Sequence, residues 1–322
     1  MKVLVTGGSG FIGSHVIDCL LAKGFAVRSF DLVYPKFHGS EIEFYQGSLL
    51  DVDALGMAMT GIEAVFHLAA AADVNDVVAY PDYAEKINVR GTFNVLEASR
   101  QSKQVKRVVY GGTTWVYSNS SVPEDTQANE ETHLGPPDHL YTATKIAGEF
   151  YCRSYSQLYD LSTVVLRYGI PYGERARPAG VLPIFVRRAV AGEKITISGD
   201  GSQFRKFVYV KDLAEGNVAA LKCPDPFRIY NLDGTERITI RQMADTVCRV
   251  VGDVPIEHTE ARAGDFGGID VNSDRARKEL GWAATTSFED GVAKYVDWYR
   301  EDQSQQQADL DRLDPEFRHL LS

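Results

Sequence analysis

Tyr141 and Lys145 are the residues of this 322-residue chain whose types and spacing come closest to chemistry. They stand four apart in a segment patterned as a helix, Tyr141–Tyr159, so their side chains share one face. A tyrosine with its ordinary pKa of about 10 is a poor base at neutral pH. A neighbouring ammonium favours the phenolate, and the pair then reads as a proton acceptor with its activator. A third polar group must hold the reacting hydroxyl or carbonyl oxygen. Thr113 lies just past the strand Arg107–Tyr110, at the carboxyl end of a sheet, where ligands bind in open α/β folds. The same four-residue spacing also occurs in ordinary exposed helix pairs, so position has to decide.

The N-terminus supplies that position. A short apolar run, Val3 to Val5, leads into a glycine cluster and then an amphipathic segment from Phe11 to Leu21. Gly8, Gly10 and Gly13 spell the dinucleotide fingerprint, and Gly7, Gly10 and Gly13 a variant with a wider first gap. Gly7 suits a positive-φ turn, Gly10 admits a pyrophosphate, and Gly13 lets helix and strand pack closely. First-turn N–H groups, Phe11 and Ile12 among them, then face the phosphates. A second strand, Ala26 to Phe30, ends at Asp31, eighteen residues after Gly13. A carboxylate there accepts hydrogen bonds from ribose hydroxyls and repels a 2′-phosphate, so NAD is expected rather than NADP.

The first half alternates strand and helix signals at the pitch of a doubly wound parallel sheet. Glu43–Gln46, Ala64–Leu68, Arg107–Tyr110 and Ser162–Arg167 read as strands. Asp51–Met59, Asp82–Ser102 and Tyr141–Tyr159 read as helices. Past Arg167 the rhythm breaks into a Gly/Pro-rich stretch, followed by helices at Leu182–Ala191, Asp212–Leu221 and Ile240–Val251 and short strands at Ile195–Ser198 and Phe207–Val210. The expected division is a Rossmann-type domain over 1–168, with segments near 204–235 returning to it. A smaller substrate-binding lobe takes 169–203 and 236–300, and 301–322 is a polar tail.

Hydrophobic and charged contents of 44% and 24% are those of an ordinary globular protein, and a net charge of −10 argues against nucleic acid or an anionic membrane as partner. Cys19, Cys152, Cys223 and Cys248 lack metal-ligand spacing and read as free thiols in a reducing compartment. No apolar run approaches a membrane span, and the chain begins directly with a strand, so a cytoplasmic enzyme without a metal is expected.

An ordered set of motifs covers nearly the whole chain: Thr6–Gly13, His67-Leu68-Ala69-Ala70, Asn88–Thr92, Tyr141–Lys145, Leu166-Arg167-Tyr168, Gly199–Gln203, Val208–Leu213, Arg262–Asp265 and Glu279–Trp282. In this set the chain resembles the extended short-chain dehydrogenase/reductases of the NAD-dependent sugar-nucleotide epimerase/dehydratase family. The resemblance implies that Leu68, Ala69 and Ala70 line the cofactor diphosphate and ribose region, that Asn88 supports it, and that Leu32, Ser48 and Leu49 hold the adenosine end. It also implies that Arg205 and Arg262 grip the diphosphate of a nucleotide sugar, with Asp265 nearby. Val181, Thr196 and Ser198 then cradle the base and ribose. Homodimers through the helices at Asp82–Ser102 and Tyr141–Tyr159 are a further implication.

Departures from the family pattern narrow the reaction. Dehydratases carry an acid just after the catalytic Thr/Ser or one position later. Here those places hold Thr114 and Trp115, so no base for the sugar C5 proton is visible there. What remains is an NDP-sugar 4-epimerase working through a transient 4-keto sugar, with UDP as the expected nucleotide and a hexose or hexuronate as the sugar. A reductase, dehydrogenase or dehydratase of the same fold is the alternative, and a dinucleotide-sensing protein a more distant one. Gly169 stands where an aromatic is frequent, Ile170 where Asn is common, and Lys206 where Asp usually follows the arginine. His139, two residues before Tyr141, is within sequence reach of a substrate.

Overall fold

The structure is a computed structural model that describes residues 1–123, 126–260, 268 and 270–312. Two units divide the chain: Met1–Pro171 with Arg205–Arg237 and Gly267–Thr285, and Tyr172–Phe204 with Ile238–Phe266 and Thr286–Ser322.

The first unit is built on seven parallel strands: β1 (Lys2–Thr6), β2 (Ala26–Asp31), β3 (Glu43–Gln46), β4 (Ala64–His67), β5 (Arg107–Thr113), β6 (Thr163–Tyr168) and β7 (Phe227–Leu232). Their order is β7-β6-β5-β4-β1-β2-β3. The order reverses between β1 and β4, which opens the crevice beyond their carboxyl ends where such sheets bind ligands. The central strands β1 and β4 are covered on both faces, so they are buried without alternation. Val3 and Val5 pack into one buried layer with Val16, Ile17 and Leu20 of the helix Phe11–Ala22. Leu4 turns to the other, with Phe30, Leu55 and Val95. β7 has no counterpart in the sequence reading, because Phe227–Leu232 mixes Arg228 and Asn231 among its apolar residues.

Two helices on the second layer carry the residues singled out above. The expected helix Asp82–Ser102 begins as Pro81–Glu85, passes through a π-turn at Lys86–Arg90 and continues as Gly91–Ser102. The other, Leu140–Tyr159, packs along β5 and β6. One turn beyond Lys145 it is pinned by a buried ion pair. Arg167 Nε and Nη2 donate to Glu149 Oε1 (2.9 Å) and Oε2 (2.7 Å). Arg167 Nη1 also donates to the Tyr117 hydroxyl (2.7 Å), which donates to Asn231 Oδ1 (2.9 Å). The pair thus couples the helix to β6, β7 and the segment after β5.

The second unit contains the helices Val181–Val190 and Ile240–Val251, the paired strands Ile195–Ser198 and Ile256–Thr259, and the helix Phe288–Arg312. Thr239 and Gln242 form a capping box that starts the second of these helices. Most of the expected polar tail from residue 301 onward lies in the last helix as far as Arg312.

Breaking a buried pair from one side leaves an uncompensated charge, which costs about 3–5 kcal/mol. Arg167→Met is expected to lower stability in urea unfolding by about that amount, and Arg167→Met/Glu149→Leu to recover most of it. A double variant no more stable than the single one would contradict this account of the pair.

Candidate active site

The loop after β1 turns at Gly7, where φ is +75°. A Cβ there would lie 2.6 Å from Ala69 N, and one on Gly13 would lie 2.0 Å from Gly7 O. Only hydrogen fits at either position. Gly10 precedes the helix Phe11–Ala22 with no side chain to cap it, so the first-turn N–H groups of Phe11, Ile12 and Gly13 receive no acceptor from the cap residue. Asp31, at the end of β2, braces this loop. Its Oδ2 accepts from Ser9 N (3.0 Å) and its Oδ1 from Val33 N (3.2 Å). Leu32 beside it is exposed, whereas Leu49 is buried and packs against Gly91. Ser48 Oγ accepts from Leu50 N (3.2 Å).

At the end of β4 a polar chain is buried. Thr92 Oγ1 donates to Asn88 O (2.6 Å), which leaves it to accept from His67 Nε2 (3.0 Å). His67 Nδ1 then accepts from Thr6 Oγ1 (2.8 Å). These partners assign the tautomer. Burial, with the Lys145 charge adding to it, takes the His67 pKa from 6.5 to about 3, so the ring is neutral. Asn88 sits in the π-turn and is nearly fully buried. It clamps the segment after β4, accepting from Ala71 N (2.8 Å) and donating to Ala71 O (2.9 Å). Its Nδ2 also donates to Thr144 Oγ1 (3.1 Å), and Thr144 donates to Tyr141 O (2.7 Å). One amide therefore fixes the Leu68–Ala71 segment against the first turn of the helix Leu140–Tyr159.

Lys145 is 5% exposed, and its Nζ lies 4.5 Å from the centre of the Tyr110 ring. Among the described residues this ammonium makes no hydrogen bond, so buried donors remain for a ligand's hydroxyls. Burial lowers its pKa from 10.5 to about 8, with Cys152 and Glu149 partly offsetting the loss, and at neutral pH it keeps its charge. Tyr110 and Tyr168 are pushed above the ordinary phenol range by burial, and ionisation of Tyr141 would raise both further. The three phenols are therefore near neighbours, and two of them are held neutral. Thr113 ends β5 paired with Tyr168 of β6, is buried, and accepts from Trp115 N (3.2 Å) while its own hydroxyl proton stays available to donate.

The expected substrate residues fall in separate places. Arg205 lies on the strand Phe204–Tyr209 in the first unit. In the second unit, Val181 opens the helix Val181–Val190, and Thr196 and Ser198 share the partly exposed face of the strand Ile195–Ser198. Thr196 Oγ1 accepts from Arg188 (2.6 Å). Arg262 and Asp265 lie outside the described residues. His139 turns out to be the N-cap of the helix Leu140–Tyr159, its Nδ1 accepting from Tyr141 N (3.2 Å). Residue type and spacing gave no sign of the roles of His67, Tyr110 and Thr144. Only the occurrence of polar groups within apolar strands, His67 as the last residue of β4 and Tyr110 in the middle of β5, could have pointed to the first two.

Two of the departures form one group. A Cβ on Gly169 would lie 1.9 Å from Asp233 Oδ1, so the carboxyl at the end of β7 fills the space a side chain would need. Burial raises the Asp233 pKa to about 7, against lowering by Gly234 N–H and Lys206. Lys206 is buried, bonded to Val271 O (2.9 Å) and paired with Asp270 (2.6 Å). Glycine at 169 and lysine at 206 are thus tied to acids at 233 and 270.

A seven-stranded parallel sheet, a glycine turn at its switch point and a Tyr/Lys helix beside Thr113 define an extended short-chain dehydrogenase/reductase. The chain belongs to the NAD dependent epimerase/dehydratase family, whose model matches residues 3–233. It is 33% identical over 317 residues to the UDP-glucose 4-epimerase of Mycolicibacterium smegmatis, covering 93% of this chain and 99% of that one. Among solved structures it is similar to the UDP-glucose 4-epimerase of Thermotoga maritima with UDP-glucose, with TM-score 0.86 and 31% identity over 94% and 100% of the two chains. The Thermus thermophilus UDP-glucose 4-epimerase in complex with NAD gives TM-score 0.84 and 34% identity over 93% and 99%. A dTDP-glucose 4,6-dehydratase from Streptomyces venezuelae with NAD bound gives 0.85 and 28% over 95% and 98%. The chain is an enzyme fold of NAD-dependent nucleotide-sugar chemistry. No described helix is long and apolar enough to cross a membrane.

The neutral His67 carries a pH consequence. Between pH 6.5 and about 3 the unfolded chain protonates this histidine and the folded chain does not, so its contribution is present above pH 6.5 and is lost on acidification. The wild type is expected to lose about 1.4 kcal/mol more per pH unit than His67→Asn across that window, read from urea midpoints at successive pH values. Parallel pH profiles for the two proteins would contradict a neutral buried ring.

Proposed function

We propose that this chain inverts C4 of a UDP-hexose or UDP-hexuronate through a transient 4-keto sugar. The observation that carries the reading is the buried Lys145 ammonium, with no hydrogen bond to the described protein, on the helix that presents Tyr141. Tyr141, as phenolate, takes the C4 hydroxyl proton. Lys145 stabilises that phenolate by its charge in a low-dielectric setting and donates to a cofactor ribose hydroxyl. Thr113 donates a hydrogen bond to the reacting oxygen and holds it beside Tyr141. Bound NAD would supply the acceptor for the C4 hydride and its return to the other face of the sugar.

Gly7, Gly10, Phe11, Ile12 and Gly13 would hold the cofactor pyrophosphate, and Asp31 and Leu32 the adenosine ribose. Ser48 and Leu49 would flank the adenine, and Leu68–Ala70 with Asn88 the segment toward the nicotinamide. The uncapped helix start and the Lys145 donors fit that group. Arg205 would grip the substrate diphosphate with paired N–H donors. Val181, Thr196 and Ser198 would face the nucleoside. The turn Thr114–Tyr117, which directly follows Thr113, carries no carboxylate. That favours epimerisation over dehydration, since removal of a C5 proton needs a positioned base. Exposed Phe150 and Leu158, on one side of the helix Leu140–Tyr159, support a homodimer through that face. Four cysteines without a disulfide support a cytoplasmic setting.

The test incubates the protein with UDP-glucose, UDP-galactose and UDP-glucuronate without added cofactor, reading products by mass and proton NMR. A same-mass C4 epimer is expected, with Tyr141→Phe lowering kcat by about 10²–10⁴. Loss of water, or turnover only with added NAD(H) or NADP(H), would replace this reading with a dehydratase or an oxidoreductase.

A further inference from the structure

Side-chain caps at helix starts are ordinarily Ser, Thr, Asp or Asn, whose short oxygen reaches the N2 or N3 amide. The helix that presents Tyr141 and Lys145 starts instead at a histidine. His139 takes extended backbone angles, φ −107° and ψ 126°, and its Nδ1 accepts from Tyr141 N (3.2 Å). In the neutral ring this acceptor role places the proton on Nε2. The imidazole also reaches where a serine could not. Its ring stands edge-on to Trp115, with centroids 6.0 Å apart and planes at 87°. The backbone N–H of Trp115 in turn donates to Thr113 Oγ1 (3.2 Å).

We propose that His139 is a positioning residue for Tyr141: it caps the first turn of the helix bearing the base and, through Trp115, ties that turn to the segment bearing Thr113. The contacts run from Thr113 Oγ1 to Trp115, to the His139 ring and on to Tyr141 N, and they join the two segments outside the sheet ladder. This inference rests on the reading of Tyr141 as the base. The cap holds Tyr141 from below, while the Asn88–Thr144–Tyr141 bonds hold the same turn from the side. Removing the cap leaves the helix standing on its Glu149–Arg167 anchor and loosens the turn where the phenol is set.

Three variants and two readouts separate the cases. His139→Ala is expected to lower kcat about tenfold on the UDP-sugar turned over by the wild type, with KM within about twofold, because geometry and not ground-state binding is lost. His139→Asn, which keeps an acceptor at the cap, is expected to return kcat to within about threefold. Amide hydrogen exchange, which needs no substrate, is expected to speed up across Tyr141–Thr144 in the alanine variant and not in the asparagine one. Wild-type kcat and unchanged exchange in His139→Ala would overturn the proposal. So would a His139→Asn variant as impaired as alanine with a raised KM, which would place the imidazole on the ligand. Full activity in Tyr141→Phe would instead sink the base reading, while the exchange result still reports on the cap.

Discussion

A lysine ammonium kept charged inside the protein is the constraint on which the rest of this site depends. Burial pulls the Lys145 pKa to about 8, and the ring face of Tyr110 is its near partner. An uncompensated charge in such a place costs stability, and it also acts on neighbouring groups with little screening. The surrounding choices follow. His67 stays neutral and spends both ring nitrogens on threonines, Tyr110 and Tyr168 are held as phenols, and Glu149 is occupied by Arg167 instead of quenching the ammonium. On the proposed function, Tyr141, four residues before Lys145 on the same helix, is the phenol left to ionise.

Keeping that arrangement requires the helix Leu140–Tyr159 to be fixed at several points. Glu149 ties its third turn to β6, Asn88 ties its first turn to the segment after β4, and His139 closes its start. The π-turn at Lys86–Arg90 gives Asn88 its place between the two segments, in line with the frequent appearance of such turns at functional sites. Stability and function are not separable here. The same hydrogen bonds that satisfy buried polar groups also set the distance between a threonine on a strand end and a tyrosine on a helix.

The parallel sheet and the glycine turn were legible in the sequence because each rests on local rules. Apolar runs, glycine spacing and the acid after β2 need no tertiary partner to be read. Position within that frame singled out Thr113, Tyr141 and Lys145 as the candidates on which the proposed function is built. β7 was not, because Arg228 and Asn231 interrupt its apolar pattern and find their partners, among them Glu279, Tyr117 and the backbone at Asn272, through the fold. The meaning of Gly169 and Lys206 was hidden for the same reason. Each looks like an isolated departure, and only the fold brings Asp233 against one and Asp270 against the other. His139 read as a loop residue because histidine is not among the usual caps.

The central claim is that hydrogen leaves C4 of the sugar and returns to the same carbon without escaping. It is tested most directly with a UDP-hexose carrying deuterium at C4, incubated with the protein in ordinary water and no added cofactor. The account predicts a C4 epimer that retains the deuterium at C4, with none released to solvent. Deuterium washed out into water, or recovered at another carbon of the product, would contradict it.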